Sequence, residues 1–389
     1  MAAKAPARPK AKAVPKSSPP TAPERTTSRL SSIDALRGFV MFWIIGGDQI
    51  FPYLSKTFGG GFVTAMAMQF DHVPWHGLVF YDLIFPTFMF LAGCSMPFSF
   101  EKHLANGGTR SSLYRKIFTR SAAIVALGLL YNGGLNFQGF AAMRWPGVLQ
   151  RIGITYCLAS LIYLGSSLRG RIQWAVGLLL AYWAIMVLIP VPGIGAGVLT
   201  PEGNLAGYVD RLWLQGSDMC CYSLGDNEGF LSTLPAIVTV ILGGFAGVWL
   251  KSARPASKKA AGLALAGLLS VGVSLVWNPW FPINKNLWTS SFVLAAGGCS
   301  TLMLALFYWL IDIQGWKAWA FPLMLIGMNS ITIYLGQEII NFGGIAKFFV
   351  GGVSAYMGNY GGLMMIFGEL AAKIGFLWFL WRQKVFLRV

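Results

Sequence analysis

Gly229–Leu250 reads GFLSTLPAIVTVILGGFAGVWL, 22 residues without an Asp, Glu, Lys or Arg. A helix over this run is about 33 Å long at 1.5 Å per residue, enough to cross a hydrocarbon core of about 30 Å. Inside lipid every backbone amide has to be bonded within its own segment, so helix is the state such a run dictates. Ala260–Asn284, Asn286–Ile311 and Ala318–Gln337 are charge-free in the same way. Of the 389 residues, 55% are hydrophobic and 11% charged, against roughly 25% charged in a soluble domain. The fold this predicts is all-α, a polytopic membrane helical bundle.

Working outward, about ten spans fall near 35–54, 78–99, 113–132, 146–165, 172–190, 229–250, 260–278, 289–311, 318–337 and 362–381. The Gly-rich segment 339–361, with Lys347 in it, reads as re-entrant or interfacial, or as an eleventh span. With both termini in the cytoplasm, 23 of the 30 basic residues lie inside, the bias of a settled topology. That placement accounts for the net charge of +16 without nucleic acid as a partner.

Residues 1–29, rich in Ala, Lys, Pro, Ser and Thr, read as a disordered cytosolic tail whose basic residues can touch anionic lipid. No apolar stretch followed by a small-residue cleavage site marks it as a signal peptide. Residues 30–389 form the membrane domain. Within it 191–228 is a long outward loop with five acids, which predicts a cap over the outer mouth. The five cysteines have no metal-ligand spacing, and no metal is expected.

Charges inside spans need a partner or a job. Asp34 with Arg37, and Glu369 with Lys373, have the spacing of local ion pairs on a helix. Asp48, His72 and Asp82 all fall near the outer boundary, where a carboxylate can hold the imidazole ready as a base. His76 is a competitor four residues on. Arg144 stands at the outer start of a helix, with Gln150 and Arg151 two turns deeper. Arginines there can hold an anion, or can neutralise Asp48 and Asp82. Trp75, Trp145, Trp280 and Trp288 fit a sugar platform and an interfacial aromatic belt alike. Gly243-Gly244 with Gly247, and Gly297-Gly298, would let helices approach closely, within the bundle or in a homodimer.

Several stretches taken in order carry a resemblance. They are Ser32-Ile33-Asp34-Ala35-Leu36-Arg37-Gly38, His72-Val73-Pro74-Trp75-His76-Gly77 and Asp82-Leu83-Ile84-Phe85-Pro86. Arg144-Trp145-Pro146-Gly147-Val148-Leu149-Gln150-Arg151, Pro282-Ile283-Asn284-Lys285-Asn286-Leu287-Trp288 and Gly327-Met328-Asn329-Ser330 with Tyr334 follow. From about residue 29 to the end, the chain resembles the heparan-α-glucosaminide N-acetyltransferase family, including bacterial members linked to amino-sugar use. The resemblance implies a bacterial cytoplasmic-membrane enzyme that moves acetyl from cytosolic acetyl-CoA to a glucosamine amine across the bilayer. A homodimer is implied on the same ground.

His72 matches the family's catalytic histidine, and Asp48 falls where the lysosomal enzyme has an Asn. Asp82, Arg144, Gln150, Arg151, Asn284, Lys285, Asn286 and Asn329 match its other motif positions, with Trp288 beside them as a substrate residue. The lysosomal enzyme's luminal domain is not matched here, and Gln337 replaces a second histidine. The CoA nucleotide is then expected at the cytoplasmic mouth among Arg37, Arg115, Lys116, Arg120 and Lys251. Ordinary positive-inside placement explains those five residues as well. His72 would act as base or carry the acetyl group, with Asp48 or Asp82 orienting it and Arg144, Asn286 or Asn329 at the oxyanion.

Two rival readings use the same residues. An amino-sugar permease would carry sugar without acetyl-CoA, but no internal repeat of the kind common in transporters is evident. An O-acetyltransferase acting on envelope polysaccharide would differ only in its acceptor.

Overall fold

The computed structural model describes Met1, residues 30–134, Gly139 and residues 143–214, 221–222 and 225–386. Most of the expected basic tail, with Asp218, Cys220 and Arg388, lies outside the described residues. Met1–Leu30 is one unit, and Ser31–Val389 is the other, which holds every element.

Helix α1 (Ser31–Ile44) stops before a 3-10 turn at Gly47–Gln49, and the short pair α2 (Ile50–Phe58) and α3 (Gly61–Met68) follows. A loop and a second 3-10 turn (Phe80–Leu83) lead into α4 (Ile84–Ala105), α5 (Arg110–Leu129), α6 (Val148–Gly165) and α7 (Leu168–Leu188). The long connection after α7 contains α8 (Leu205–Trp213) and a small antiparallel ladder, β1 (Cys221–Tyr222) with β2 (Gly225–Asp226). Then come α9 (Thr233–Lys251), α10 (Ala256–Trp277), α11 (Ser290–Phe307), α12 (Phe321–Met328), α13 (Ser330–Ile339), α14 (Phe342–Tyr356) and α15 (Gly361–Arg382). Local sequence sets many of the starts. Thr109 and Ser112 exchange bonds as a capping box for α5, and Ser167, Asn204, Thr289 and Asn341 cap α7, α8, α11 and α14.

Among the described residues seven helices are long and apolar enough to cross a membrane, or eight if α13 and α14 count as one span bent by 75°. The chain is a multi-pass helical membrane protein. The difference from about ten expected spans has three local causes. The run 35–54 is broken after Ile44, and 318–337 is broken at Asn329. The run 113–132 is helical as α5, but Arg110, Arg115, Lys116 and Arg120 dilute its apolar character. Residues 339–361 hold α14, turned away from α13 by the same 75° bend.

Glycine lets two helix pairs touch backbone to backbone. A methyl group on Gly243 would strike the Phe90 carbonyl, and one on Gly247 the Cys94 carbonyl. The two contacts advance together along both chains, so α4 and α9 run parallel. Gly93 abuts the Val240 carbonyl in the same seam, and Gly38 of α1 meets Leu323 of α12 likewise. The glycines expected to serve close packing are thus used within the chain.

Both expected ion pairs form. Arg37 meets Asp34 at 3.3 Å and also donates to Ser95 Oγ at 3.0 Å. Lys373 meets Glu369 at 2.7 Å and donates to the Ile45 carbonyl at 2.7 Å. The second bond caps the end of α1 with a cation, as a helix C-terminus favours.

Candidate active site

Helices α4, α6, α9 and α11 all begin at one end of the bundle, and the segments leading into them carry Asp82, Arg144, Glu228 and Lys285. Two of these loops are pinned together where Gly77 N–H donates to the Ile283 carbonyl at 2.9 Å. The loop before α11 is locked by its own polar groups. Asn284 Oδ1 accepts from Leu287 N at 2.9 Å, and Thr289 Oγ donates to the Pro282 carbonyl at 2.8 Å. Trp288 takes a left-handed φ of 50° there. These constraints aim Lys285 at the facing loop.

His72 Nδ1 lies 2.6 Å from Asp82 Oδ1. The carboxylate is 1% exposed and the imidazole 51%, so a buried anion orients a ring that substrate can reach. Asp82 is held in turn by Val79 N–H at 3.2 Å and by Lys285 Nζ at 3.3 Å. Lys285 Nζ is also 3.3 Å from both His72 ring nitrogens. With the Nδ1 hydrogen directed at Asp82, Nε2 keeps the lone pair and is the nitrogen that accepts from the ammonium. Burial pushes the Lys285 ammonium below its usual pKa, against the opposing pull of Asp82.

Asp48 does not touch His72. Its Oδ2 accepts from the Tyr81 hydroxyl, and the Tyr81 ring stacks obliquely on His72. Arg144 and Arg151 do not neutralise Asp48 and Asp82: loop acids meet Arg144, and a loop carbonyl and hydroxyl meet Arg151. Arg144 pairs with Glu228 at 3.0 Å and Asp226 at 3.4 Å. Arg151, 2% exposed, donates to the Gly229 carbonyl at 3.0 Å and to Ser232 Oγ, with its guanidinium 4.9 Å over the Trp288 ring. The cause is the turn before α9, which folds inward over the start of α6. Asp210 secures that turn by accepting from Asp226 N at 3.2 Å and Phe230 N at 3.0 Å.

These groups surround a cavity of about 270 Å³. His72, Tyr81, Arg144, Asn227, Glu228 and Lys285 make its polar part; Met41, Ile44, Phe85, Phe88, Ile152 and Ile331 belong to its apolar wall. Tyr334 also lines it, stacked on Tyr131 with centroids 4.5 Å apart. Polar groups at one side of an apolar hollow suit a ligand with a polar reacting end. Among the described residues no cluster of three or more His, Cys, Asp and Glu side chains suits a metal.

The remaining expected residues stand behind or away from this cavity. Gln150 is buried beside Gly128 and Gly147. Trp288 is 1% exposed, with its indole N–H on Thr239 Oγ at 3.3 Å, so it packs behind the wall and offers no open platform. Asn284 bonds His76 Nδ1 at 3.2 Å through its amide, and Asn286 is half-buried in the same loop. Asn329 reaches the Val385 carbonyl at 3.4 Å. At the opposite end of α4 and α9, Lys251 pairs with Glu101, while Arg120, midway along α5, stacks 4.9 Å from the Tyr156 ring centre. Arg115 and Lys116 are exposed on α5, whereas Arg37 is engaged with Asp34.

Sequence reasoning passed over Tyr81 and Asn227, quoted Tyr334 only as part of a motif, and took Glu228 only as one of the loop acids. The acid-rich end of the 191–228 loop, directly before a span, was the available signal for Glu228.

No protein-family profile matches the chain. It is 30% identical over 365 residues to heparan-alpha-glucosaminide N-acetyltransferase of Homo sapiens, covering 80% of this chain and 53% of that protein. The Mus musculus protein of the same name is 30% identical over 369 residues, covering 81% and 54%. The chain spans about half the length of these curated relatives, and through that shared part it belongs to the heparan-α-glucosaminide N-acetyltransferase family.

Proposed function

We propose that the chain is a membrane N-acetyltransferase that moves acetyl from acetyl-CoA to the amine of a glucosamine-type sugar. The observation that carries this reading is the His72–Asp82 contact beside the cavity, with Nε2 left as the basic nitrogen. A glucosamine arrives largely as an ammonium and cannot attack until it loses a proton. His72 Nε2 takes that proton, and Asp82 steadies the imidazolium that results. The amine then attacks the thioester carbonyl, and Arg144 and Lys285, which line the cavity, would stabilise the developing oxyanion. Collapse expels the thiolate, which leaves as free CoA with the second proton shed by the attacking nitrogen, and His72 returns the first to water.

The apolar part of the cavity suits the acetyl group and the pantetheine arm, with the CoA nucleotide toward the Arg115 and Lys116 end. In this reading the sugar stays on the extracytoplasmic side. Tyr334, backed by Tyr131, offers the sugar-facing ring that Trp288 does not.

The test is turnover in detergent with acetyl-CoA and glucosamine, following thiol release and product mass. N-acetylglucosamine is expected from the wild type, with a loss of at least about 10²-fold in His72→Ala and little change in His76→Ala. A wild type that yields no acetylated product, even from glucosamine-terminated oligosaccharides, overturns the reading.

A further inference from the structure

Lys285 is itself an amine at the reacting centre. Its Nζ lies 3.3 Å from His72 Nε2, about 0.1 Å beyond the reach over which an amine hands its proton to a base. It lines the same cavity as His72 and Arg144, and its loop is locked by Asn284 and Thr289. Burial favours the neutral, nucleophilic form of the side chain, while Asp82 at 3.3 Å favours the ammonium. The position therefore carries a hazard that the acceptor normally prevents by arriving first.

We propose that Lys285 is a site of self-acetylation, modified from bound acetyl-CoA when no sugar amine occupies the cavity. This inference rests on the function proposed above. In the step, Lys285 Nζ gives a proton to His72 Nε2, and its lone pair attacks the thioester carbonyl. An N–C amide bond forms and the C–S bond breaks; the second proton of the former ammonium leaves with the departing thiolate as free CoA, and His72 releases the first to water. The amide carries no charge, so the contact with Asp82 is lost. Unlike an acetyl-imidazole, an amide does not pass its acetyl group on, so the product is a switched-off enzyme. Acceptor supply would thereby set how long the enzyme stays active.

The experiment incubates the purified full chain with acetyl-CoA, with and without glucosamine, and maps acetylation by peptide mass spectrometry. Thiol release and sugar acetylation are followed in parallel. Without glucosamine, the Lys285 peptide is expected to gain about 42 Da, resistant to hydroxylamine, in step with a fall in later turnover. Glucosamine should slow the gain at least fivefold. His72→Ala should abolish it while leaving background acetylation at exposed Lys102 and Lys258 unchanged. Normal sugar turnover with Lys285 unmodified sinks this inference alone. So does a Lys285 adduct that persists unchanged in His72→Ala, since that is uncatalysed amine chemistry. Absence of both thiol release and sugar product removes the functional reading, and this inference with it.

Discussion

Tyr81 donates its hydroxyl to Asp48 Oδ2 at 3.0 Å while its ring centre lies 5.1 Å from that of His72. Asp48 therefore acts on the histidine through an aromatic ring, whereas Asp82 bonds it directly. The two carboxylates, indistinguishable by depth in the sequence, have unequal shares in positioning His72.

That inequality gives a ranking. Asp82→Asn should lower kcat by about 10²–10⁴-fold, because the amide supports the wrong imidazole tautomer. Asp48→Asn and Tyr81→Phe should each cost less than about tenfold, since only ring placement changes. Steady-state kinetics of the three variants decide the matter, and equal losses for both aspartates would sink the ranking.

The turn before α9 carries a pH dependence. Burial pushes the Glu228 carboxyl up to about 7 and the Asp210 carboxyl up to about 6, with Asp226 adding repulsion and Arg151 opposing both effects. Both carboxyls hold a proton more tightly in the folded chain than in the unfolded one. Their contribution is therefore favourable at low pH and declines as pH rises from about 4 toward about 7. Glu228→Gln should remove part of that decline, on the order of 1–2 kcal/mol between about pH 5 and about pH 8. Thermal melts of both proteins across this range give the difference. Parallel curves for wild type and variant would show that Glu228 carries none of it.

The α4–α9 seam is intolerant of added volume. Gly93→Val and Gly243→Val each drive a side chain into a facing carbonyl, for a loss of about 1–3 kcal/mol or more. Gly272→Val on α10, where a Cβ meets nothing within 4 Å, is the control and should be tolerated. Melting temperature and size-exclusion profile in detergent read the outcome, and equal behaviour of all three variants would contradict the seam.

How much was legible follows from how far apart the partners lie. Gly229–Leu250 gave away α9 because its apolarity is continuous, and His72 with Asp82 sit only ten positions apart beside one helix start. Ion pairs at three- and four-residue spacing were equally readable. The contact of Lys285 with His72 spans 213 positions, and that of Arg144 with Glu228 spans 84. Such pairs are created by bundle packing, which no local period encodes. Trp288 misled for a related reason: a tryptophan near an aqueous boundary resembles a belt residue until a left-handed turn tucks it beneath Arg151. The interruptions after Ile45 and at Asn329 were hidden because apolar residues resume within a turn or so of each, at Ile50 after Gly46-Gly47-Asp48-Gln49 and at Ile331 after Asn329-Ser330.

The bond from Lys373 to the Ile45 carbonyl joins positions 328 residues apart. During synthesis the first helix enters the membrane long before its cap exists. The turn that bears Asp48 consequently matures only after α15 has been inserted beside it. A ribosome that stalls before Lys373 would leave a chain with its cavity residues made but this corner unfastened. Quality control that detects an unsecured α1 would thus be sensing whether α15 had been made.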